Sequence, residues 1–123
     1  MAEKFEFVDH GKYLEVIFTG ERTYEEVVDL IKGSYVKCNE TRHKKILVNM
    51  LGAKGPWLQI DRFKVGEQVA QLFRGTYRIL VVEHEYIINK FAENTAANRG
   101  VNIVVTHEKE VYLDWLLADG HPR

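Results

Sequence analysis

Tyr77-Arg78-Ile79-Leu80-Val81-Val82-Glu83-His84-Glu85 sets an unbroken apolar run between charged residues, and its reading decides the fold. A strand that is apolar at successive positions is buried on both faces, which happens in parallel sheets covered by helices. Ile46-Leu47-Val48 upstream and Ile103-Val104-Val105 downstream repeat the pattern. Amphipathic segments separate the three runs, so Lys45 to Leu117 reads as successive βα units.

Working outward, Lys4 to Val8 and Tyr13 to Thr19 are β-prone runs joined by Asp9-His10-Gly11-Lys12, a turn sequence; together they read as an antiparallel hairpin at the edge of the sheet. Leu14, Val16 and Phe18 alternate with Glu15, Ile17 and Thr19, giving one apolar and one mixed face. Thr23-Tyr24-Glu25-Glu26 has capping-box spacing and opens a helix to about Lys37, with Asn39 as its stop. After the strand Ile46 to Met50, residues Leu51 to Ile60 read as a loop with two glycines, a proline and an unusual share of apolar side chains. Asp61 is placed to cap the next helix, which runs to Arg74. The strand Tyr77 to Val82 then leads into a helix with Ile87, Ile88, Phe91, Ala92 and Ala96 on one face. Val101 to Thr106 is the last strand, and Lys109 to Leu117 the last helix, with Val111, Trp115 and Tyr112 toward the sheet. The order is ββαβαβαβα in a single domain spanning 1–123, with a polar tail over 118–123.

Composition excludes several function classes. With 123 residues the chain makes one domain able to bury a core without disulfides. Seventeen basic against eighteen acidic residues, a formal charge of −1, give no field favouring nucleic acid. Cys38 is alone and cannot form an intrachain disulfide, and no run approaches the ~20 apolar residues of a membrane span. These features imply a soluble, cytoplasmic protein.

Tyr77-Arg78-Ile79-Leu80-Val81-Val82, Phe91, Asn98-Arg99-Gly100-Val101 and Glu108 to Trp115-Leu116 resemble the second half of a STAS-type domain, the class that includes antagonists of anti-sigma factors. Element order and lengths are similar from about Phe5 to Leu117. The resemblance implies α/β architecture with five strands in nearly sequential order, a mixed and mostly parallel sheet, and helices largely on one side. It also brings in lipid carriers of the CRAL-TRIO type as a comparison for binding. One departure is functional: switching STAS domains carry a phosphorylatable Ser or Thr at the helix start after the third strand. Here Leu51 to Gly75 contains neither, and Asp61-Arg62-Phe63 stands at that place. Phosphorylation cannot add its ~2 negative charges there.

Catalytic motifs are lacking. Ser34 lies in a helix without a nucleophile-elbow sequence, and Gly52-x-x-Gly55 matches no complete phosphate-binding pattern. His84 and His107 both follow strands, so a small enzyme would need them to converge on a reacting atom or metal. No cofactor or metal site is expected. The residues point first to a non-enzymatic STAS-like module that binds a protein partner or itself, as a homo-oligomer and most simply a dimer. It would use Lys54, Trp57 and Leu58 of the apolar loop and the helix face around Arg62, Lys64 and Glu67. The second reading is a site for a small apolar molecule or lipid, with Trp57, Leu58, Phe73 and Tyr86 around a pocket beside His84; a closed cavity would favour it.

Overall fold

Five strands hydrogen-bond in chain order: β1 (Phe5–Asp9), β2 (Leu14–Glu21), β3 (Lys45–Lys54), β4 (Arg78–Val82) and β5 (Asn102–Thr106). The computed structural model describes residues 4–118, so the tail expected over 118–123 lies, beyond its first residue, outside the described residues. β1 and β2 pair antiparallel, Phe5 opposite Phe18, and every later pair is parallel. The helices are α1 (Tyr24–Thr41), α2 (Gln59–Phe73), α3 (Phe91–Ala97) and α4 (Lys109–Leu117). This is the mixed, mostly parallel α/β sheet expected from the apolar runs.

Side-chain alternation divides the core in two. Leu14, Val16, Phe18, Ile46, Met50 and Ile79 share one face with Val27, Leu30 and Ile31 of α1, Val65, Val69 and Phe73 of α2, and Ala96 of α3. On the opposite face Leu47, Leu80 and Val82 pack with Leu116 of α4. Three helices thus cover one side and one the other. Gly33 has a packing reason despite its low helix propensity: a Cβ there would meet the Phe5 ring at 3.1 Å.

Several boundaries differ from the sequence expectation. α1 passes Lys37 and Asn39 and ends only where Arg42 turns left-handed, φ 65°. Thr23 accepts from the Glu26 amide at 3.2 Å, while the Glu26 carboxylate accepts from the Thr23 hydroxyl at 3.0 Å rather than closing the capping box on the backbone. β3 continues past Met50 to Lys54 because β2, after a register shift between Ile17 and Thr19, offers further partners in Thr19 to Glu21. Leu51 to Lys54 are therefore strand. Helix α2 begins at Gln59 with Leu58 as its cap position, and Asp61 sits in the first turn rather than capping it.

The long helix expected after β4 is broken. A 3-10 turn at Glu85–Ile87 is followed by extended backbone at Ile88 and left-handed Lys90, φ 66°, before α3 starts. That left-handed residue is held from both sides: the Lys90 ammonium donates to the Val105 carbonyl and to Glu93, while Glu93 accepts from the Val105 amide at 3.0 Å. In α4, Val111 is 62% exposed, contrary to expectation, and Leu116 is the buried residue. Tyr112 and Trp115 are half-buried against the second core. Arg78 and Lys45 donate to the carbonyls of Leu116, Leu117 and Ala118, cations from the sheet closing a helix end that has no basic residue of its own.

Candidate functional site

The parallel connections bring the carboxyl ends of β2, β3 and β4 together, and the residues following them form one constellation. Arg22, just beyond β2, donates two hydrogen bonds to the carboxylate of Glu83, just beyond β4: Nη2 to Oε1 at 2.5 Å and Nε to Oε2 at 3.3 Å. The two side chains are 1% and 6% exposed. Arg22 also donates to the Gly55 carbonyl, and its amide to the Lys54 carbonyl at 2.8 Å, so the pair straddles the end of β3.

Beneath this pair, between the three-helix face of the sheet and α1, α2 and α3, lies a cavity of about 120 Å³. Val48, Val81, Ile103 and Val105 form its floor, Val27, Leu30 and Ile31 one wall, Val65, Val69 and Phe73 another. Trp57 folds back over it and packs on the core. The wall at α2 and α3 is close-packed: a Cβ on Gly66 would stand 2.7 Å from Thr95 Cβ and 2.9 Å from the Ala92 carbonyl. Ser34, Arg62, Glu83, Asn89, Lys90 and Glu93 are the polar side chains of the lining.

Two of them stand out. Ser34 is 2% exposed, and its hydroxyl is the one buried side-chain polar atom without a hydrogen bond among the described residues. Arg62 donates to the Ile87 carbonyl at 3.0 Å and has no carboxylate within ion-pair distance among the described residues. Its pKa is lowered, first by burial, with Glu83 opposing the shift and Arg22 adding to it. An unmatched buried hydroxyl costs about 1–3 kcal/mol, and alanine is the better helix former. Ser34→Ala should therefore stabilise the empty protein by about 1 kcal/mol in urea unfolding; a loss instead would mean that the hydroxyl is bonded in solution.

The expected site residues separate. Trp57 and Arg62 line the cavity. Lys54 is exposed at the end of β3, Leu58 is 63% exposed and Tyr86 80%. His84 Nε2 bonds to the Leu51 carbonyl at 2.8 Å and its ring stacks on Tyr86, centroids 5.4 Å apart. Leu51 and Ile60 are exposed as well; Leu51, Leu58 and Tyr86 directly neighbour the lining residues Met50, Trp57 and Ile87 in the chain, and the four exposed apolar residues Leu51, Leu58, Ile60 and Tyr86 are termed the rim. Of the pocket residues expected beside His84, Phe73 and Trp57 line the cavity while Leu58 and Tyr86 stay on the rim. His107 is half-exposed and meets Glu85 at 3.8 Å, so the two histidines take different partners. No three metal-ligating side chains gather among the described residues. Cys38 is a core residue; burial pushes its thiol up to about 12. Sequence reasoning gives neither Ser34 nor Arg22 a binding role and considers Glu83 only as a neighbour of His84; the visible signal was the carboxylate of Glu83 set directly after the apolar run of β4.

No family model matches this chain, and no curated protein matches it. Among solved structures it is similar to an uncharacterised protein of the DUF3478 family from Shewanella loihica PV-4, described as having a SpoIIAA-like fold. The two are 18% identical, with 91% of each chain covered and a TM-score of 0.52. The fold is accordingly SpoIIAA-like, that is, STAS-like. No described helix is long and apolar enough to cross a membrane.

Proposed function

We propose that this chain is a non-enzymatic binding module that holds a small apolar molecule in the cavity between the sheet and its three-helix layer. The observation that carries the reading is the cavity itself, about 120 Å³ within an aliphatic and aromatic lining. Close-packed interiors leave few voids larger than a water, and an apolar cavity of about 150 Å³ stays dry and takes benzene. The size suits a benzene-sized body and not the two chains of a membrane lipid.

The absence of Ser and Thr from Leu51 to Gly75 supports the same direction, since the phosphate-controlled partner exchange of switching relatives has no hydroxyl to use at the start of α2. A protein partner or a second copy docking on the rim is the second reading, favoured by the exposure of Leu51, Leu58, Ile60 and Tyr86. Toluene titrated into the methyl-labelled protein tests both. Saturable shifts at Val65, Val69, Ile79, Val81 and Ile103, with a rise in Tm, are expected. Shifts confined to Leu58 and Ile60 would reject the cavity and leave the rim.

A further inference from the structure

The polar groups of the cavity point to a more specific ligand. Arg22 neutralises Glu83, and Lys90 is paired with Glu93, which leaves Arg62 as the unmatched charge of the lining. A guanidinium has five N–H donors, and among the described residues the Ile87 carbonyl accepts from one of them. Its place is also electrostatically adverse. It lies in the first turn of α2, where the helix dipole disfavours a cation, and that helix start has no side-chain cap. A half-buried cation with spare donors, on the wall of an apolar cavity, is an anion site in want of its anion.

Ser34 is the independent second observation. Its hydroxyl, deeply buried on the wall that α1 contributes, has no partner among the described residues, so the wall presents a donor to whatever fills the space.

Resting on the cavity reading above, we propose that the ligand is a small apolar monocarboxylate, its hydrocarbon body in the cavity and its carboxylate on the Arg62 guanidinium. Glu83 repels such a ligand, but its charge is already bound up with Arg22, and the Arg22–Glu83–Arg62 cluster is net positive. The Ser34 hydroxyl is then the second anchor for a ligand that carries a further oxygen.

Benzoate and toluene, which share a phenyl ring and differ in carrying a carboxylate or a methyl group, separate this inference from the one beneath it. Both are titrated by methyl NMR at pH 7 into the intact protein, Arg62→Gln and Arg62→Lys. The expected result is benzoate at least about tenfold tighter than toluene, the advantage falling to about one in Arg62→Gln and partly kept in Arg62→Lys. Unchanged toluene binding by Arg62→Gln shows that the cavity has survived the substitution. Toluene binding with no benzoate advantage, or an advantage that Arg62→Gln leaves intact, overturns the monocarboxylate and spares the cavity. If neither probe binds, the cavity reading fails and this inference goes with it.

Discussion

Arg22→Met should lower the free energy of unfolding by about 3–5 kcal/mol, and Glu83→Leu added to it should restore most of the loss. The single change leaves the Glu83 carboxylate buried without the guanidinium that now binds both its oxygens. Desolvating two ions costs about as much as their attraction returns, so removing both is cheap and removing one is not. Both side chains are almost fully enclosed, which keeps solvent screening from shrinking the effect. Urea unfolding of the two variants reads it directly, with the midpoints interpreted at constant m. A single-variant loss under about 1 kcal/mol would show that the pair is effectively solvated. The ion pair joins β2 to β4 over the end of β3, so its contribution is better described as fixing that end of the sheet than as net stabilisation.

The second large effect is expected at α4. Leu116→Ala should cost about 2–5 kcal/mol, since the side chain is fully buried among Leu47, Leu80 and Val82 and its removal leaves a void in a small core. Tyr112, Leu113 and Trp115 pack against the same cluster only partly buried, and Val111 is turned outward, so Leu116 is the one fully buried anchor of the helix. Its last carbonyls accept from Arg78, which is itself buried in β4, so a helix that detaches also strips bonds from a charged group within the sheet. Urea unfolding measures the loss, and amide exchange across Lys109–Leu117 should quicken. Faster exchange with unaltered stability would show that α4 contributes nothing to the global transition.

The architecture was legible because parallel strands write themselves as continuous apolar runs; Ile79 to Val82 and Ile103 to Val105 have no other comfortable environment. The elements misread were those settled by contacts distant in sequence. β3 gained four residues from its pairing with β2, which no local signal around Leu51 reveals. The helix expected after β4 was broken by Lys90, whose left-handed backbone is held by Val105 fifteen residues on. Spacing alone placed Val111 inward, while Leu116 was the residue that fitted the gap over Leu80. Site residues were half visible. Trp57 and Arg62 were named for their chemistry, but a cavity belongs to the space between elements and has no sequence signature; Ser34 becomes notable only when its hydroxyl is seen to lack a partner.

The clamp that Lys90 and Glu93 place on Val105 has a consequence for how molecules of this protein meet one another. β5 is the last strand of its sheet, and an unprotected last strand is a template on which another chain can add a strand and begin to aggregate. At Val105 the amide is taken by Glu93 and the carbonyl by Lys90, so an incoming strand finds both main-chain groups already bonded and a pair of charges in its path. Removing either side chain would free the main-chain group of Val105 that it now binds and take one charge from that edge.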